Sequence, residues 1–290
     1  MFDPWVAGHL TGRFSGVHGA ETAGRTGAET AVTADYLGTF HPTVTGKFAA
    51  AADPGMTTGA IVAGGRSTRF GDRDKSVAEL NGVPMIRRVA DRLAGAGEPV
   101  PPGAARAAGG DPVVDEVVIS CRPDQREAIA AALDGFSLPV AWALDEEPDL
   151  GPVAGIRNAC RVAASEYAVV VACDMPFVDP AFLASLRADA AGRDAAVPRL
   201  DDRWFQTTQA VYRAEAMAAA CDRALASGDR KVLAPLAHLD RVVVDDETIR
   251  SRTTARTFTN LNTREEFTEA ANAIGEAIAS GAGDDAGRER

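Results

Sequence analysis

The sequence predicts an α/β protein built on a doubly wound, mostly parallel sheet, and three observations carry that expectation. Short β-branched or apolar runs alternate with helix-length amphipathic segments at the spacing of βαβ units. The most uniformly apolar run, Ala168 to Cys173, reads as a central strand, because a strand covered on both faces is apolar at successive positions. Two polar breaks, Gly64-Gly65 and Asp174, directly follow apolar strands, and the carboxyl ends of strands are where such sheets take ligands.

The elements follow in order. Residues 1–55 are rich in Gly, Ala, Thr and His without helical or strand period, which predicts a disordered extension, with Met56 as the start of the ordered chain and of translation. A first strand runs from Thr58 to Ala63, and a polar loop runs from there to Lys75. Leu80-Asn81-Gly82-Val83-Pro84 predicts a turn entering a helix with Pro84 near its first position. On that helix Met85, Val89 and Leu93 recur every four residues beside Ile86 and Ala90, giving one buried face. The Gly/Pro/Ala stretch 95–112 predicts an exposed insertion.

Beyond it the pattern predicts strands at Glu116–Cys121 and Leu138–Leu144 around a helix at Pro123–Leu133. A helix at Gly151–Ala164, the central strand, a helix at Pro180–Ala190, and strands at Ala195–Leu200 and Phe205–Tyr212 come next. Helices at Ala214–Ala226 and Lys231–Leu239, a strand at Arg241–Val244 and a last helix from Arg264 complete the domain. That domain spans residues 56–279, and 280–290 form a disordered Gly/Asp tail.

Composition narrows the function. The chain carries a net charge of −11, which argues against a nucleic-acid-binding surface. Cys121, Cys160, Cys173 and Cys221 lie far apart with no Cys-x-x-Cys pair, so zinc, thioredoxin-like and disulfide-framework readings lack support. No apolar run is long enough to span a bilayer, and the N-terminus has no secretory pattern, so no membrane association and a cytoplasmic location are expected.

The stretch from Ala60 to Lys75 carries the chemistry. A strand breaking into paired glycines leaves backbone N–H groups bare where a phosphate can approach. Lysine is scarce, with Lys47, Lys75 and Lys231 against abundant arginine, so a retained ammonium at Lys75 suggests a compact point charge for phosphate. A dinucleotide fingerprint fails because Gly64 and Gly65 are adjacent and the next glycine is Gly71. A Walker loop fails because Asp74, not Gly, precedes Lys75. From the residues alone, Asp174 is either a helix N-cap or a site carboxylate, and Asn260 and Asn262 either close a turn or reach a ligand.

The longer pattern Gly-Gly-x-x-x-Arg-x-Gly-x-x-x-Lys resembles the signature of nucleotidyltransferases that act on NTPs, and within them the MobA-like molybdenum cofactor guanylyltransferases. Further motifs are similar to that family's in the same order. They are Asn81-Gly82-Val83-Pro84, Gly151-Pro152-Val153-Ala154-Gly155, Cys173-Asp174-Met175-Pro176 and Asn260-Leu261-Asn262-Thr263, and together they cover about residues 57–270.

The resemblance implies a Rossmann-like nucleotidyltransferase fold and transfer of GMP from GTP to the phosphate of molybdopterin or Mo-molybdopterin, with release of pyrophosphate. It implies Arg69, Lys75 and Asp174 as catalytic residues and Asp174 as ligand of Mg²⁺. Nucleotide contacts are expected from Val62, Ala63, Gly64, Gly65, Ser67, Lys75, Ser120, Asp145 and Asp174, and acceptor contacts from Gln206, Asn260 and Asn262. Ser120 or Cys121 stands near a family asparagine that this chain lacks, and Thr207 and Gln209 stand where the family often has Pro and His. Molybdoenzymes or their chaperones are further partners on this reading. CTP or another phosphorylated acceptor, or a non-catalytic cofactor-binding chaperone, are the alternatives.

Overall fold

The computed structural model describes residues 53–65, 74–95, 110–145 and 150–285. The expected extension through residue 52, most of the expected insertion, and positions 66–73, 146–149 and 286–290 lie outside them.

Strand β1 (Asp53–Val62) reaches back past the expected boundary at Met56, because Asp53 pairs with Ser165 across a register irregularity. Nothing in Asp-Pro-Gly-Met-Thr-Thr has a strand period; pairing with a neighbour recruits it. A hairpin of β2 (Glu79–Leu80) and β3 (Val83–Pro84) follows, turning through Asn81 at φ 52° and Gly82 at φ 70°. Two successive positive φ values define the turn that Asn-Gly supplies at least cost. Helix α1 (Met85–Leu93) starts directly after Pro84, and β4 (Glu116–Cys121) falls where the pattern put it.

A 3-10 turn at Pro123–Gln125 leads into α2 (Arg126–Ala132), then β5 (Val140–Leu144), α3 (Pro152–Val162), β6 (Ser165–Ala172) and α4 (Pro180–Asp189). The expected single strand at 205–212 is instead two pieces. After β7 (Ala195–Leu200), a short β8 (Trp204–Phe205) folds back on it, and β9 (Gln209–Arg213) starts afresh. The break comes at Gln206, whose N–H is drawn to Pro198 O at 2.8 Å.

Helix α5 (Ala214–Ala226) matches expectation, whereas the expected helix at 231–239 is a 3-10 segment, Ala234–His238, in a stretch interrupted by Pro235. After β10 (Arg241–Val244) comes an unanticipated helix, α6 (Asp246–Arg252). Its signal is electrostatic: Asp245 caps it, and Arg250 Nε reaches Asp246 Oδ2 at 2.8 Å one turn away. The last helix, α7 (Arg264–Asp285), runs beyond the expected end at Ser280.

The sheet order is β10-β7-β9-β6-β1-β4-β5, with β8 on β7. All neighbours along it are parallel except β9, which is antiparallel to both β6 and β7. Alternation along the strands divides the core. Ile61, Val169 and Val171 face α1, α2 and α4 through Val89, Leu93, Ile129, Phe182 and Leu186. Ala60, Ala168 and Val170 face α3 and α5 through Val153, Ile156 and Met217, with Tyr212 of β9 in the same layer. From β1 the chain moves outward through β4 to β5, then returns to the other side of β1 as β6 and continues away. The connections after β1 and β6 therefore diverge, and a crevice opens at their carboxyl ends.

Candidate functional site

The two ends that flank this crevice are Gly64-Gly65 after β1 and Cys173-Asp174 after β6. Cys173 N–H donates to Val62 O at 3.1 Å, which fixes the two ends side by side. The Lys75 ammonium closes the group: Nζ lies 2.9 Å from Asp174 Oδ2 and 3.0 Å from Asn262 Oδ1. Lys75 is held in place by its own turn, a 3-10 segment at Lys75–Val77 capped by Asp74, whose Oδ1 accepts from Ser76 N and Ser76 Oγ.

Asp174 does not cap α4; Asp179 does, accepting from Ala181 N and Phe182 N. Asp174 is instead bound at its backbone, where its carbonyl accepts from Leu261 N at 3.0 Å. One carboxylate oxygen, Oδ2, is engaged by Lys75. The other, Oδ1, is buried without a hydrogen-bond partner among the described residues. A buried carboxylate oxygen left unpaired is costly, and a cation relieves that cost. No group of three His, Cys, Asp or Glu gathers among the described residues. This donor set suits a hard cation that keeps water and phosphate oxygens around it, and not a metal held in an all-protein cage.

On the other side of β1 a second cluster forms. Asp145, just past β5, accepts at Oδ1 from Asn158 Nδ2 at 3.0 Å and from Ser120 Oγ at 3.4 Å. Burial raises the Asp145 carboxyl above its ordinary range, and those hydrogen bonds, with Arg157 and Arg122 nearby, work against the rise. Its Oδ2 faces Gly64 so closely that a Cβ there would sit 2.4 Å from it. Gly155, on α3, is equally constrained: a Cβ would meet Ser120 Oγ at 3.0 Å and Val62 Cγ1 at 3.2 Å. Gly64 is thus needed for space and Gly155 is tightly placed, leaving room beside a carboxylate for a flat ring or a sugar.

Of the residues expected at the site, Val62, Gly64, Gly65, Lys75, Ser120, Asp145 and Asp174 line this edge of the sheet. Ala63 does too, but its N–H is already donated to Ser120 O at 2.7 Å and its carbonyl accepts from Gln125. The N–H groups of Gly64 and Gly65 have no backbone partner among the described residues. Ser67 and Arg69 lie outside the described residues. Asn262 belongs to the Lys75–Asp174 group, while Asn260 is exposed on the same segment. Gln206 donates from Nε2 to Trp204 O, and its segment reaches the end of β6 because Thr208 O accepts from Ala172 N. Burial pushes the Cys173 thiol well above its ordinary range, which disfavours the thiolate a nucleophile needs.

Three contributors were not anticipated: Asn158, Arg122 and Gln125. The last two sit on the 3-10 turn after β4. Arg122 Nη1 donates to Gly64 O at 3.2 Å and Gly65 O at 2.9 Å, and Gln125 Nε2 donates to Ala63 O at 3.1 Å and Asp74 Oδ2 at 2.7 Å. Their signal was their position, immediately past the carboxyl end of a strand bordering the crevice.

A mostly parallel sheet with a glycine turn, a lysine and a carboxylate converging at its carboxyl edge defines a nucleotidyltransferase. The MobA-like NTP transferase domain matches residues 59–242, and the chain belongs to that family. A Natronomonas pharaonis protein named "Probable molybdenum cofactor guanylyltransferase" is 44% identical over 216 residues, covering 74% of this chain and 97% of its own length. A Haloferax mediterranei protein of the same name is 36% identical, covering 71% and 88%. Among solved structures, molybdopterin-guanine dinucleotide biosynthesis protein A from Archaeoglobus fulgidus is 27% identical with a TM-score of 0.57, covering 76% of this chain and 99% of that one. No helix among the described residues is long and apolar enough to cross a membrane.

Proposed function

We propose that this chain transfers GMP from GTP to the terminal phosphate of molybdopterin or Mo-molybdopterin, forming the guanine dinucleotide cofactor and pyrophosphate. The observation that carries the reading is the Asp174 carboxylate, with Lys75 on Oδ2 and a buried, unpartnered Oδ1 at the crevice. The names of the relatives at 44% and 36% identity support the substrates.

The reaction forms a bond from an acceptor phosphate oxygen to the α-phosphorus of GTP and breaks the bond to the pyrophosphate oxygen. The attacking oxygen is already ionised near neutral pH, so the residues here act by alignment and charge neutralisation. Gly64 and Gly65 offer N–H donors to phosphate oxygens, and Lys75 offers a point charge beside them. Asp174 is the residue to hold Mg²⁺, which when bound supplies further positive charge to the phosphates. Asp145 faces the space beside Gly64 with an acceptor oxygen, suited to the N1–H and N2–H donors of guanine. Gln206 and Asn260, on segments reaching the β6 side, are assigned to the acceptor, and Ser67 and Arg69 to the phosphates.

The test is pyrophosphate release by the purified protein with Mg²⁺, molybdopterin and each of the four NTPs. Release with GTP alone is expected. Release with CTP alone defeats the guanine assignment, and nucleotide binding without release points to a cofactor-binding chaperone.

A further inference from the structure

The glycine turn after β1 and the turn that carries Lys75 are separate stretches of chain, yet one short element holds both. That element is the 3-10 turn Pro123–Gln125 with Arg122 before it. We infer that Arg122 and Gln125 are positioning residues for the nucleotide triphosphate, setting the Gly64-Gly65 amides and the Lys75 ammonium at a fixed separation; this rests on the nucleotidyl-transfer reading above.

Every nitrogen of the Arg122 guanidinium is engaged. Nε and Nη2 each lie 3.1 Å from an oxygen of Asp124, a two-pronged pair that fixes the plane of the fork. Nη1 then reaches the carbonyls of Gly64 and Gly65. Four of its five N–H groups are spent in this way, two of them on main-chain carbonyls, and through those two Arg122 acts on the backbone. The effect on the backbone is specific. Among the described residues there are no cis peptide bonds, and in a planar trans peptide the N–H points opposite to the C=O. Turning Gly64 O toward Arg122 therefore aims the Gly65 N–H away from the guanidinium. Left unheld, glycine would sample many other orientations.

Gln125 does the corresponding work on the second stem. It is 2% exposed, and its amide is used at both ends. Oε1 accepts from Arg122 N at 3.0 Å, while Nε2 bridges Ala63 O and Asp74 Oδ2. Asp74 in turn caps the segment that begins with Lys75. A chain of hydrogen bonds thus runs from the glycine turn through Gln125 and Asp74 to the base of Lys75. Only an amide completes it, because the position must accept at one atom and donate twice at the other.

The consequence is a division of labour. Loss of the clamp lowers the fraction of protein with its phosphate-binding groups in register, which weakens nucleotide affinity by that fraction. On the acceptor side, the Gln206 amide is spent on Trp204 O, away from both clamp residues.

The experiment uses the full chain with Arg122→Ala, Arg122→Lys, Gln125→Glu and Gln125→Met. Binding of Mg²⁺-GTP is measured by calorimetry, which needs no acceptor, alongside KM for GTP and for molybdopterin. Arg122→Ala is expected to weaken GTP binding and raise its KM about tenfold, with molybdopterin KM unchanged. Arg122→Lys is expected to recover little, since one ammonium cannot grip both Asp124 and two carbonyls.

Gln125→Glu places a carboxylate against Asp74. Its GTP KM relative to the unaltered protein is expected to fall as pH drops from 8 to 6, when a shared proton restores one donated bond. Gln125→Met, lacking any donor, should show no such recovery. Melting temperatures identify any variant that fails to fold, and the surface-reaching Arg122 variants remain the deciding pair. Intact GTP affinity in folded Arg122→Ala, or equal loss for both substrates, overturns the inference. Failure of the unaltered protein to bind any NTP instead removes the nucleotidyl-transfer reading, and the inference with it.

Discussion

Lys75 Nζ lies 2.9 Å from Asp174 Oδ2, so the charge on the Lys75 turn and the one just past β6 neutralise one another within the fold. Both side chains are largely withdrawn from solvent, at 10% and 21% exposure. Removing either charge deprives its partner of this ion pair, at a cost of up to about 3–5 kcal/mol. The double replacement Lys75→Met/Asp174→Leu should therefore be more stable than Asp174→Leu or Lys75→Met alone, measured by urea unfolding. Catalysis responds in the opposite way: Lys75→Gln and Asp174→Asn should each lower kcat by about 10²–10³-fold, and the double replacement should recover none of it.

Asn262 makes a sharper distinction. Its Oδ1 accepts from Lys75 while its N–H donates to Glu266 Oε2 at 2.6 Å, so it joins the start of α7 to the ammonium. Asn262→Ala should reduce kcat about 10–100-fold, in line with one hydrogen bond to a charged group. The expectation from sequence alone, that Asn262 contacts the acceptor, requires molybdopterin KM to rise instead. Steady-state kinetics with each substrate varied separates the two.

The contrast between Asn262 and Lys75 shows where sequence was enough. Strands β4, β7 and β10 and helix α5 were legible to the residue, because burial on both faces or one imposes a hydrophobic period. Asp174 was legible because it follows an apolar strand and breaks it, and Lys75 because it is a scarce lysine closing the loop that the glycine pair opens. Asn158, Arg122 and Gln125 were not, since their roles lie in bonds to backbone or to another side chain far away in sequence. Helix α6 was hidden for a related reason: its stability comes from a cap and a charge pair, with Ile249 its one buried residue. Strand β1's extension to Asp53 depends on a partner, Ser165, that local sequence cannot name.

Gly64 offers a test of space. Its backbone tolerates a side chain, for its φ is not positive, but a Cβ would meet Asp145 Oδ2 at 2.4 Å. Gly64→Ala should cost about 1–3 kcal/mol and weaken GTP binding. In an Asp145→Ala background the same change should cost less, because the obstructing oxygen is gone. Gly65→Ala, with nothing within 4 Å of its added methyl, should leave stability nearly unchanged. A double-mutant cycle by thermal unfolding checks all three.

Asp145 carries a pH signature. Burial raises its carboxyl above the unfolded value, so the folded state prefers it protonated. A raised carboxyl contributes most to stability at low pH and loses that contribution as pH rises through its folded value. Asn in its place keeps an oxygen for Asn158 and Ser120 and bears no charge at any pH. Asp145→Asn should therefore match the unaltered protein's melting temperature where the carboxyl is protonated in both states, and exceed it by a constant margin once pH passes the folded value. GTP use should fall over the same range, because the amide offers a donor where the base presents donors of its own. A melting-temperature difference independent of pH would locate the effect in packing instead. Equal GTP affinity in the variant at pH 7 would remove Asp145 from base recognition.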